Sequence, residues 1–85
     1  MKLTLFTSAF CAPCHAARAT VAQARELVPG LEVTELDVAA HTAEAEAADI
    51  RSTPTLVIEG DAGSFRAAGA PSLDQLLRAL ASVSA

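Results

Sequence analysis

The sequence has no tryptophan and no tyrosine, and its aromatic side chains are three phenylalanines. A core built on large rings is therefore excluded, and leucine, valine, isoleucine and the phenylalanines must supply it. Alanine makes up much of the 52% hydrophobic share, and it buries little area per residue. Basic residues are also few: six Lys and Arg stand against ten Asp and Glu, a net charge of −4. That balance argues against nucleic acid as a partner, because phosphates need clustered cations. It argues equally against an anionic membrane surface. No stretch approaches the roughly 20 apolar residues that a membrane-crossing helix needs. The apolar run Leu3-Thr4-Leu5-Phe6 after Met1-Lys2 is too short for a secretory signal. The expected location is the cytoplasm.

Cysteine is scarce too, with two, Cys11 and Cys14, three positions apart. A disulfide framework is excluded, and a bridge across so small a loop removes little chain entropy. In a reducing compartment such a pair reads as catalytic or metal-binding.

What is present fits one small α/β domain over residues 1–85. Lys2 to Ser8 reads as a buried strand, and residues 9 to 14 as a turn opening a helix. From Pro13 to Val28 the residues Cys14, Ala17, Val21, Ala24 and Val28 fall on one helical stripe. Pro29-Gly30 ends it. Leu31 to Val38 reads as a period-two strand, and residues 40 to 51 as a short Ala- and Glu-rich helix ending near Ile50. Thr55 to Glu59 and Ser64 to Ala68 form a hairpin about the turn Gly60 to Gly63. Ser72 caps a last helix, with Gln75 completing a capping box and Leu73, Leu76, Leu77 and Leu80 on its buried face. The order is β-α-β-α-β-β-α. A right-handed crossover makes the first two strands parallel, and the last two are antiparallel.

The spacing Cys-x-x-Cys at a strand-to-helix junction has a physical logic. A thiolate at a helix N-terminus faces free N–H groups and the positive end of the dipole. That lowers its pKa from about 8.5, sometimes to about 7 or below. Cys11 is thus the expected attacking thiolate. Cys14, one turn in on the inward stripe, is the expected resolving thiol. Pro13 suits the first helical turn, where a missing N–H costs little. Three other readings of the pair exist. It can be half of a zinc site, but His15 and His41 are the remaining nitrogen donors, and His15 points elsewhere on the helix. It can hold a metal or iron–sulfur cluster shared by two chains. It can be two structural thiols, although Cys11 lies in a turn. No metal or other cofactor is expected within one chain.

Three segments then resemble the thioredoxin superfamily: Thr7-Ser8-Ala9-Phe10-Cys11-Ala12-Pro13-Cys14, Ile50-Arg51-Ser52-Thr53-Pro54-Thr55-Leu56, and Gly69-Ala70-Pro71-Ser72. They come in family order and span nearly the whole chain. The resemblance implies a minimal thioredoxin-like fold, a four-stranded mixed sheet flanked by three helices, as in the short glutaredoxin-like forms. It implies Cys11 as nucleophile, Cys14 as resolving cysteine and Pro54 as a cis-proline that presents backbone to substrate. Phe10 stands where the family usually carries tryptophan, lining the substrate groove or simply packing. Gly69 matches a glycine near that groove. Thr53 would touch the sulfurs, where its hydroxyl can donate to the Cys11 thiolate, or it is only an extended residue before proline.

The departures matter as much. Leu5 replaces the family's buried aspartate, and Val33 falls at about the place of the lysine that accompanies it. Proton transfer at Cys14 then needs another route, water or His15, although a solvent-facing helix position is the plainer reading of that histidine. Ala12 replaces a common glycine, so the redox potential is not inherited. The implied function is reduction of protein disulfides, with a flavin-dependent thioredoxin reductase as electron donor and a monomeric state. A glutathione-dependent, glutaredoxin-like enzyme is the alternative, but the motif is CAPC rather than CPYC, Gly69 has no glycine neighbour, and no basic residues for glutathione are evident near Cys11.

Overall fold

The computed structural model describes residues 1–84. Its elements are β1 (Lys2–Thr7), α1 (Ala12–Leu27), β2 (Glu32–Asp37), α2 (Thr42–Ala47), β3 (Thr55–Gly60), β4 (Gly63–Ala68) and α3 (Leu73–Val83). The sheet order is β2-β1-β3-β4. β1 runs parallel to β2, and β3 runs antiparallel to both β1 and β4. This is the expected β-α-β-α-β-β-α architecture with a mixed sheet.

Strand parity decides which residues are buried. Leu3 and Leu5 alternate on β1, and Leu56 and Ile58 stand opposite them on β3. They meet Ala17, Val21 and Ala24 of α1 and Leu76, Ala79, Leu80 and Val83 of α3 in one cluster. The six large aliphatic side chains, Leu3, Leu5, Leu56, Ile58, Leu76 and Leu80, are fully buried. Each contributes about 1.5–3 kcal/mol, well above what the small alanines supply. α1 and α3 therefore lie side by side on this face. The stripe expected on α1 is buried from Cys14 to Ala24, with Val28 only partly so. On α3 the expected face is rotated slightly: Leu76 and Leu80 are buried with Ala79 and Val83, while Leu73 and Leu77 sit at the margin.

α2 lies on the opposite face, and it is shorter than expected. It stops at Ala47 rather than near Ile50. The cause is Asp49, whose φ of 53° lies in the left-handed region. The Ile50 N–H donates to Ala45 O at 2.9 Å and the Asp49 N–H to Glu46 O at 3.0 Å, which closes the helix in a Schellman arrangement. Arg66 of β4 then donates its guanidinium N–H groups to the carbonyls of Ala48 and Asp49. That places a cation on the negative end of the helix.

β2 keeps one unbroken alternation along its length. Leu31, Val33 and Glu35 share the face of Leu3 and Leu5, and Leu36 pairs with Phe6 on the other face. Only one residue separates successive positions on a face, so an acidic side chain must stand beside Leu5. The last helix carries the expected capping box between Ser72 and Gln75. Gly60 is required by close approach, because a Cβ there would meet Val83 O at 2.2 Å. The neighbouring Ala62 N–H donates to the same carbonyl at 3.0 Å, tying the hairpin to the end of α3.

Candidate active site

The site forms where β1 ends and α1 begins. Cys11 is the N-cap of α1 in extended conformation, and Pro13 occupies the first turn. Cys11 and Cys14 are joined in a disulfide, with Cα atoms 5.3 Å apart. The Cys14 N–H donates to Cys11 Sγ at 3.2 Å. The two sulfurs differ in access: Cys11 is half-buried, whereas Cys14 is 1% exposed at the head of the α1 stripe. Ala12 and Pro13 between them are exposed.

Phe10 is bent outward at φ 56° and its side chain is fully exposed at 106%. A bulky residue in that region is strained by about 1–3 kcal/mol. Of the two expectations for Phe10, packing is therefore excluded, and the ring stands free beside Cys11.

The peptide between Thr53 and Pro54 is cis, and Pro54 is fully buried. Gly69, at φ 91°, donates its N–H to Pro54 O at 2.8 Å. The loop before β3 and the loop before α3 therefore meet, although 15 positions of sequence separate Pro54 from Gly69. Thr55 Oγ1 donates to Ser52 O at 2.7 Å and tightens the same loop.

Thr53 forms the other side of the cis peptide bond. Its hydroxyl is engaged by Ser8 Oγ at 2.6 Å, which joins the β1–α1 loop to the cis-proline loop. One expectation is corrected. The residue beside Leu5 on β2 is Glu35, while Val33 pairs with Leu3. His15 turns toward Arg18, with Nδ1 3.5 Å from Nη1, on the exposed side of α1.

Glu35 carries a network of its own. Arg18 grips it twice, through Nε to Oε1 and Nη2 to Oε2, both at 2.8 Å. Thr7 Oγ1 donates to Oε2 at 3.3 Å. The Arg18 guanidinium holds the Glu35 carboxyl below the ordinary carboxylate range, against partial burial and with help from Thr7. The same pairing raises Arg18 further above its ordinary value. Sequence reading missed Glu35, Thr7 and Ser8. Among the described residues no group of three or more His, Cys, Asp or Glu could hold a metal ion.

A disulfide at the head of a helix that follows the central strand, faced by a cis-proline loop, defines a thiol–disulfide oxidoreductase. The thioredoxin family profile matches residues 1–82, and the chain belongs to that family. It is 35% identical over 81 residues to the thioredoxin of Methanocaldococcus jannaschii, covering 94% of this chain and 92% of that one. A thioredoxin variant from Halobacterium salinarum NRC-1 superposes with a TM-score of 0.85 at 28% identity, over 96% of this chain and 73% of the other. The oxidised mitochondrial thioredoxin 3 of Saccharomyces cerevisiae shares the fold at 18% identity, with a TM-score of 0.82 over 94% and 76% of the two chains. The chain is a thioredoxin-type protein-disulfide oxidoreductase.

Proposed function

We propose that the chain works as a reductant of disulfides in partner proteins, with Cys11 as nucleophile and Cys14 as resolving thiol. The observation that carries the reading is the contrast between the half-buried Cys11 at the N-cap and Cys14 buried one turn inside. In the reduced chain a Cys11 thiolate faces the N–H groups of the first turn and the positive helix end. It attacks one sulfur of a target disulfide, and the first target thiolate leaves. The Cys14 thiolate then attacks Cys11 Sγ, and the second target thiolate leaves. Two electrons pass to the target, and the Cys11–Cys14 disulfide forms. Thr53 and Gly69 line the surface where the target chain lies, with the buried Pro54 ring beneath it, and the exposed Phe10 ring supplies apolar contact next to the nucleophile. Ala12 and Pro13 leave the path to Cys11 unobstructed.

A flavin-dependent reductase restores the dithiol, and the chain acts as a monomer in the cytoplasm. The family supports protein substrates and a reductase partner in general. The test is catalytic reduction of insulin disulfides by dithiothreitol with the wild-type chain, Cys11→Ser and Cys14→Ser. Turnover is lost in both variants. Full turnover by Cys11→Ser overturns the reading.

A further inference from the structure

β4 is an outer strand, with β3 on one side and, among the described residues, no strand on the other. Its register fixes which backbone groups are free. The Gly69 N–H donates to Pro54 O, so this pair is hydrogen-bonded, and bonded and open pairs alternate from there along the ladder. Phe65 and Ala67 therefore turn their N–H and C=O groups toward β3, while Ser64, Arg66 and Ala68 turn theirs outward. Edge strands are commonly protected from further pairing by charged side chains. The opposite edge, β2, carries Glu32, Glu35 and Asp37. β4 carries only Arg66, and its guanidinium is bound to the carbonyls of Ala48 and Asp49. Beside this free edge the seam between β4 and α3 opens as a groove of about 380 Å³, with Phe65 and Ala67 on one wall and Leu76 and Ala79 on the other. Phe65 pairs with the buried Ile58, yet it remains 38% exposed. Residues 69–71 line the groove where β4 ends, and Gly69 is bonded to the cis-proline loop. Edge and groove are thus continuous with the surface on which the target chain lies.

We propose that β4 and the β4–α3 groove dock an uncharged, extended segment of the target protein, which adds to the sheet as a fifth strand. The inference rests on the dithiol reading and the target surface given above. Continuity selects the target as the occupant: a segment that leaves the cis-proline loop past Gly69 meets the outward groups of Ala68, then those of Arg66 and Ser64. Each of these residues offers one N–H and one C=O, and such main-chain bonds hold a strand without regard to its sequence. The groove adds the selection. Side chains of an added strand alternate between faces, so every second one points toward the α3 side. None of the described residues that line the groove there is charged, so an aliphatic side chain is buried favourably and a carboxylate is desolvated without a partner. Disulfides flanked by apolar, strand-forming runs are therefore preferred over disulfides flanked by acidic ones.

The experiment uses two peptides, each with one cysteine held as its mixed disulfide with thionitrobenzoate. In the first the cysteine is flanked on both sides by short runs of alternating Val and Thr, and in the second Glu replaces each Val. The Cys11 thiolate of Cys14→Ser attacks the peptide sulfur, the coloured thiolate leaves, and the peptide stays bonded to Cys11. Amide exchange is then followed residue by residue in both adducts and in the free chain. The Val peptide is expected to slow exchange at Ser64, Arg66 and Ala68 by about tenfold or more, and the Glu peptide to leave these amides as they are in the free chain. With the wild-type chain and peptide disulfides of the same two sequences, KM is expected to be about tenfold lower for the Val peptide. A Val adduct in which the three amides exchange as in the free chain overturns the proposal, as do equal KM values. Three amides already slow in the free chain, and slower as its concentration rises, assign the edge to a second copy and overturn it too. Failure of either peptide to bond to Cys11 contradicts the dithiol reading itself.

Discussion

The Gly69 N–H donates to the Pro54 carbonyl at 2.8 Å, and this bond joins the loop before α3 to the cis-proline loop before β3. Gly69 reaches it only at a φ of 91°, a conformation that side-chain-bearing residues adopt at a cost. Gly69→Val is expected to lower stability by about 1–3 kcal/mol in urea unfolding. The space around Gly69 is open, so the loss comes from the backbone rather than from a clash.

Ser8 and Thr53 make the second tie between the flanking loops, at 2.6 Å. Removal of either hydroxyl, by Ser8→Ala or Thr53→Val, is expected to cost about 0.5–1.5 kcal/mol. The two losses share one bond, so the double variant loses less than their sum. A double-mutant cycle by urea unfolding measures the coupling.

Arg66 closes the end of α2 by binding the carbonyls of Ala48 and Asp49. Arg66→Ala leaves those carbonyls to water. The expected result is faster amide exchange in residues 45–50 and a global loss of about 1 kcal/mol. Exchange elsewhere changes only by the global amount, because Arg66 lies on the face away from the α1–α3 core.

The Arg18–Glu35 pair makes stability depend on pH. Glu35 has a lower pKa in the folded chain than in the unfolded one, so the unfolded chain binds its proton first. The pair therefore stabilises fully above the ordinary carboxylate range. Its contribution is lost as pH falls through the depressed folded value. Thermal unfolding of wild type and Glu35→Gln shows this: the wild-type advantage at neutral pH shrinks toward zero at acid pH. High salt weakens it as well, because both side chains face solvent.

How much of this was legible in sequence depends on the distance between the partners. The α1 stripe from Cys14 to Ala24 and the Ser72–Gln75 cap are local patterns, and both are present. Cys11, Cys14, Pro54 and Gly69 could be placed because short motifs mark them. The bonds from Thr7 to Glu35, Ser8 to Thr53 and Arg66 to Ala48 join residues 28, 45 and 18 positions apart, and such pairs leave no periodic trace. Glu35 did leave one signal. Strict alternation from Leu31 through Val33 puts it on the buried face, where a carboxylate needs a partner. The apolar Leu36 beside it suggests the opposite phase and conceals it. The end of α2 was misplaced because alanine and glutamate continue to favour helix up to Asp49, whose left-handed turn is fixed by Arg66 and the loop beyond.

The central claim is that target disulfides are opened by Cys11 and released by Cys14. The most direct measurement incubates Cys14→Ser and Cys11→Ser with a disulfide-bonded protein and maps any mixed disulfide by mass spectrometry after acid quench. Cys14→Ser should accumulate a stable mixed disulfide through Cys11, and Cys11→Ser should accumulate little or none. Equal or greater capture through Cys14 in the Cys11→Ser chain would contradict the assignment of the two cysteines.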